Sequence, residues 1–170
     1  MGTMLSFMFI RIKSRKSGKY AYLVKNKWLK AKKYPKQKVI KYLGKVITIK
    51  KQSKLTLDIT TTPFKESILG LLKTELINHS FKETNDEFIR DFIKINLQNK
   101  TITENSKLVS IELNEGFLNN YTLTELLNFK FNPKHPPLTQ GHNLANLLIS
   151  AGIRLSPSKF LKLFKKIHNP

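Results

Sequence analysis

From Met1 to Leu57 the chain carries seventeen Lys or Arg and not one Asp or Glu; the first acid is Asp58. Before Lys50 no cation in that stretch has a carboxylate near it in sequence, so those charges must face water, a distant acid or a polyanion. Residues 58–170 hold fourteen basic and eleven acidic side chains, which leaves most of the net charge of +20 in the first third of the chain. The sequence therefore divides into a strongly basic module, residues 1–57, and a nearly balanced one, residues 58–170. A one-sided field of this kind concentrates polyanions and speeds encounter with them. A face that only has to be soluble would mix both signs.

The basic stretch has strand periodicity. In "SFMFIRIK", Ser6 to Lys13, Phe7, Phe9 and Arg11 fall on one side and Met8, Ile10 and Ile12 on the other. "SRKSGK" supplies a turn in which Gly18 can take positive φ. The returning strand, "YAYLVKNKWLK", sets Tyr20, Tyr22 and Val24 against Ala21 and Leu23. Pro35 is expected to break the pairing, after which "QKVIKYLGKVITI" gives a third strand, bulged at Gly44. A meander of about three strands needs a cover over one face.

That cover is expected from a mainly helical second module. "TTTPFKESILGLLKTELINHSF" reads as an amphipathic helix with a Thr cap, Pro63 at its first position, and Phe64, Ile68, Leu71, Leu72 and Leu76 on one stripe. "TNDEFIRDFIKINLQN" reads as a second, capped at Thr84 or Asn85 and burying Phe88, Ile89, Phe92 and Ile93. "SKLVSIELNEGFLNNYT" predicts one further hairpin, turning near Asn114 to Gly116, and "TLTELLNF" a short helix. "FNPKHPPL" is a rigid connector, and "TQGHNLANLLISAG" and "SPSKFLKLFKKI" close the chain as two helices. The expected class is α+β: a small basic antiparallel sheet followed by helices with one hairpin.

The residues that could carry chemistry lie in the basic module. Cations neutralise phosphates and release counterions, and Tyr20, Tyr22, Trp28, Tyr34 and Tyr42 are interleaved with them as rings on which bases can stack. The candidate nucleic-acid contacts are Arg11, Lys13, Arg15, Lys16, Lys19, Tyr22, Lys25, Lys27, Trp28, Lys30, Lys32, Lys33, Lys36, Lys38, Lys41 and Lys45. Arg is scarce beside Lys, so bidentate base reading is poorly supplied and weak sequence specificity follows. No enzyme signature is present. Cysteine is absent, His135 and His142 have no acid nearer in sequence than Glu125, and the acids Glu83, Asp86, Glu87 and Asp91 have no catalytic partner. No glycine-rich phosphate loop occurs, so no cofactor, metal or catalytic residue is assigned. The apolar opening run is too short to span a bilayer and lacks a leader pattern, which points to a cytoplasmic protein at the nucleoid or ribosome.

The residues Phe9, Ile10, Arg11, Gly18, Lys19, Tyr22, Val24, Gln37, Val39, Leu43 and Gly44 resemble the N-terminal segment of DDE-type insertion-sequence transposases. That segment has a short strand ending in a basic turn, a Tyr-containing strand and a "QRV…LG" run. The resemblance spans only Phe9 to Val46 and implies a DNA-engaging role. It implies no transposition, because nothing after Asp58 has the length or the strand pattern of an RNase H-like catalytic domain with its three widely spaced acids. The expected function is non-catalytic nucleic-acid binding with DNA favoured. The alternatives are an RNA- or ribosome-associated protein, and an adaptor whose near-neutral module docks a protein partner.

Overall fold

The structure, a computed structural model, describes residues 8–29 and 34–168. The described residues form an α+β fold with a nine-stranded mixed sheet and four helices. Strands β1 (Met8–Arg15), β2 (Gly18–Leu29) and β3 (Tyr34–Thr48) make the antiparallel meander read from the sequence. Gly18 sits at φ 129° in the first turn. Pro35 does not break the pairing: β3 begins at Tyr34, and Pro35 lies opposite Trp28. Proline has no N–H to donate, and this outer end of β3 is paired on one side only, the edge position in which a sheet tolerates proline.

After helix α1 (Phe64–Asn78) the second module departs from expectation. It is not mainly helical with a single hairpin. Strands β4 (Lys82–Thr84), β5 (Glu87–Arg90), β6 (Ile93–Asn96), β7 (Thr101–Glu104) and β8 (Lys107–Leu113) form a second antiparallel meander, and β9 (Gly116–Leu118) pairs back onto β8. The stretch Thr84–Asn99, expected to be helical, is two hairpin turns, the strands they join and the start of a third turn at Leu97. Asn85 and Asp86, expected to open a helix, both take positive φ, at 47° and 64°, as a tight hairpin turn requires. Ile93, Ile95 and Leu97 are buried at period two, and Phe92, expected in the core, is exposed in the turn. Asn-Asp serves a helix cap and a primed turn equally well, and tertiary pairing decides between them here.

The two meanders join in one sheet because β3 runs parallel to β8, with Lys45 to Thr48 opposite Val109 to Glu112. Helices α2 (Asn120–Leu127), α3 (Pro137–Ser150) and α4 (Pro157–His168) complete the fold. Helix α1 buries Ile68, Leu71, Leu72 and Leu76 as read, but its first residue is Phe64, and Pro63 is the cap, with no side-chain capping hydrogen bond. The main core gathers that stripe with Phe88, Ile95, Ile102, Ile111, Leu123, Leu144 and Leu163. Each of those larger side chains contributes about 1.5–3 kcal/mol by leaving water. A second, small cluster of Ala21, Leu23 and Leu43, flanked by Ile10, Ile12, Val46 and Tyr121, holds one face of the basic ribbon against α2.

The chain leaving β3 is fastened to the end of α1. Buried Asn78 accepts from Ser53 Oγ (2.8 Å) and Leu55 N (2.7 Å) and donates to Leu55 O (3.0 Å). Its carbonyl accepts from Gln52 N at 2.8 Å. One turn earlier, buried Glu75 accepts from Lys51 Nζ (3.0 Å) and Asn114 Nδ2 (2.7 Å), and Asn114 also donates to Gly152 O (2.7 Å). The ribbon is thereby tied, through backbone and buried polar groups, to α1, the β8–β9 turn and the α3–α4 corner.

Candidate nucleic-acid interface

Strand pairing sorts the sequence candidates onto two faces of the ribbon. Residues directly opposite in an antiparallel pair share a face. Arg11 lies opposite Tyr22 and Tyr22 opposite Tyr42; Lys13 lies opposite Tyr20 and Tyr20 opposite Lys45. Arg11, Lys13, Arg15, Tyr22 and Lys45 thus come together on one face, joined by Tyr20 and Tyr42. The reverse face carries Ile10, Ile12, Ala21 and Leu23, with Lys19, Lys25, Lys38 and Lys41 in its rows. Its inner half is occupied by the small apolar cluster and Tyr121 of α2. Lys16 is exposed in the β1–β2 turn. Lys36 is exposed opposite Lys27, and Trp28 pairs with Pro35 at the outer end. Lys30, Lys32 and Lys33 lie outside the described residues.

Two irregularities of register create this arrangement. The pairing shifts between Ala21 and Tyr22 and again between Leu23 and Val24. From Lys45 on the basic face, strict alternation would send Leu43 to that face and Tyr42 to the other. The first shift adds one residue on β3, so Leu43 turns into the apolar cluster and Tyr42 joins Tyr22. Gly44 makes the bulge possible at φ 109°. A Cβ at Gly44 would also lie 2.4 Å from Leu108 O, so only glycine lets β8 approach this closely.

On the open face the three tyrosines form a cluster. Tyr22 and Tyr42 have ring centroids 5.4 Å apart at 54°, and Tyr20 and Tyr42 6.4 Å apart at 36°. Lys13 Nζ sits 4.9 Å from the centroid of Tyr22, and the Arg15 guanidinium 6.0 Å from that of Tyr20. Such contacts fix long cationic side chains over a sheet at about 0.5–1 kcal/mol each when exposed. Arg11 donates to the side-chain oxygen of Gln37 from the same face, and Ser17 Oγ lies 2.8 Å from the Tyr20 hydroxyl. Desolvation within the cluster, then the neighbouring Tyr22 and Tyr20, push the Tyr42 hydroxyl above its ordinary pKa, and Arg15 works against them. Tyr42 remains 44% exposed. None of the ion pairs among the described residues involves a cation of Met8–Lys45.

Tyr20 and Tyr42 were interleaved aromatics in the sequence but not candidate contacts; Tyr20 faces as alternation along β2 assigns it, whereas the facing of Tyr42 follows from the bulge, which only Gly44 signals. No group of three or more His, Asp or Glu among the described residues could hold a metal ion, and no helix among them is long and apolar enough to cross a membrane. His142 is exposed near the start of α3. Comparison with known proteins yields no match to a family model, a curated protein or a solved structure.

Proposed function

We propose that the chain binds nucleic acid without catalysis, through phosphate contacts from the open face of the β1–β3 ribbon, with low sequence specificity and DNA favoured over RNA. The observation that carries this reading is the face itself: Arg11, Lys13, Arg15 and Lys45 ordered around a tyrosine cluster on a stretch with no acid. Those cations have no internal counter-charge, and a polyanion supplies one while releasing its condensed counterions. Beyond the covered inner half, Lys25 lies opposite Lys38 and Lys27 opposite Lys36. Those pairs belong to the reverse face and add to the general positive field without lying on the proposed contact surface. The preference for DNA rests on the resemblance of Phe9–Val46 to the DNA-engaging segment of insertion-sequence transposases.

Titration of the whole chain against duplex DNA, single-stranded DNA and structured RNA of equal length, across a salt series, tests the proposal. The expected result is binding whose log affinity falls linearly with log salt, with no strong dependence on base sequence. Structured RNA winning by about tenfold would replace DNA with an RNA- or ribosome-associated role. Absence of binding to all three at low salt would overturn the nucleic-acid reading and leave the protein adaptor, docking through residues 58–170.

A further inference from the structure

Resting on that reading, we infer that the tyrosine cluster is a stacking site for an unpaired base, so that the chain prefers DNA with a single-stranded gap or junction to intact duplex. A tyrosine offers a base its ring face, and a base can accept that contact only where its own face is open. Inside a duplex both faces of every base are covered by neighbouring pairs; the grooves expose edges. An aromatic face on a sheet flanked by cations is therefore matched to unpaired nucleotides, which splay out and stack. The ring placed to receive one is Tyr42. It is 44% exposed, while Lys13 lies over Tyr22 and Arg15 over Tyr20. Tyr20 and Tyr22 pack beside it at 6.4 and 5.4 Å and hold its orientation. Successive same-face residues of β1 stand about 6.7 Å apart, twice the rise per strand residue. Arg11, Lys13 and Arg15 thus form a row that can hold the flanking phosphates while the base turns toward Tyr42. The Gly44 bulge would then exist to present this ring, since without it Tyr42 would face α2.

The test compares one duplex with the same duplex carrying a four-nucleotide single-stranded gap, by fluorescence anisotropy at fixed salt. Wild-type chain is expected to favour the gapped form by about tenfold, the effect of one stacked base. Tyr42→Phe keeps the ring and should keep the preference. Tyr42→Ala and Tyr42→Leu should abolish it, read for each variant as the ratio of its gapped to its intact-duplex affinity; the Leu variant keeps apolar volume over the sheet without a π face. Equal affinity of the wild type for the two forms, or a preference that survives in both the Ala and Leu variants, would overturn the stacking site and leave phosphate binding intact. If the wild type binds neither form at low salt, the parent reading fails along with this one.

Discussion

Neutralising two cations on one face of the ribbon should not be equivalent to neutralising two on the other. The double variant Lys13→Gln/Arg15→Gln removes charges that lie over Tyr22 and Tyr20 on the open face. The variant Lys19→Gln/Lys41→Gln removes the same net charge from the reverse face, where their rows include Ser14 and Leu23. Each phosphate neutralised contributes about −0.9 to the slope of log affinity against log salt on duplex DNA. The four open-face cations alone therefore set a slope of about −3.6, or roughly a 150-fold loss of affinity between 50 and 200 mM salt. Removing Lys13 and Arg15 should flatten that slope by about 1.8, and removing Lys19 and Lys41 should leave it unchanged. Because both variants lower the net charge by two, any effect of the general field is common to both. Fluorescence anisotropy over five salt concentrations resolves a slope change of that size, and circular dichroism confirms that both variants fold. Equal flattening by the two variants would refute the face assignment, since it would mean that the chain attracts DNA by net charge with no preferred surface.

Three predictions concern the framework that holds this face. Gly44→Ala would place a Cβ 2.4 Å from Leu108 O at a φ of 109°, so it should cost about 2–3 kcal/mol and lower the melting temperature by roughly 5–10 °C; an unchanged melting temperature would show that the bulge is not tightly held. Glu75→Ala should cost about 1–3 kcal/mol by stripping Lys51 and Asn114 of a buried acceptor, measured by urea unfolding; a smaller loss would mean that water replaces the carboxylate. Asp58 is held below the usual carboxylate pKa first by the Thr60 hydroxyl and then by the Thr60 N–H. Its folded pKa is depressed, so its contribution is present above the ordinary aspartate value and fades as pH falls through the lower one. Thr60→Val, which keeps the N–H, should move the Asp58 carboxyl midpoint part of the way back up in an NMR titration, and an unmoved midpoint would remove the Thr60 hydroxyl as the leading cause.

The sequence was most legible where one face of a strand is buried and the other is not. Met8, Ile10 and Ile12 against Phe9 and Arg11, and Ala21 and Leu23 against Tyr20 and Tyr22, fall on the faces that alternation assigns. The hairpin at Asn114 to Gly116, the short helix before Phe129 and the closing pair of helices also follow from local signals. Legibility ended at β4 to β7. Their strands are three or four residues long, too short for periodicity to separate strand from helix, and their turns use Asn85-Asp86 and Asn105-Ser106, residues equally at home as helix caps. Within the candidate site, residue type was readable but facing was not. A single inserted residue reverses every facing beyond it, so Lys41, a sequence candidate, falls on the reverse face and Tyr42 on the open one.

The placement of lysine in the ribbon departs from what stability alone would choose. Lys25 opposite Lys38 forgoes the few tenths of a kcal/mol that opposite charges would contribute at that pair. Yet the second meander places Glu104 directly opposite Lys107, and Lys73 meets Glu83 at 2.6 Å, so the same chain uses complementary charges elsewhere. A local rule kept in one half of a protein and broken in the other marks the half where something other than folding sets the residues. None of the ion pairs among the described residues reaches a cation of Met8–Lys45, so under the proposed function a bound polyanion would supply the counter-charge. A polyanion that binds the folded ribbon and not the unfolded chain stabilises it by mass action. The melting temperature should therefore rise on adding duplex DNA at low salt and return toward its starting value as salt is raised.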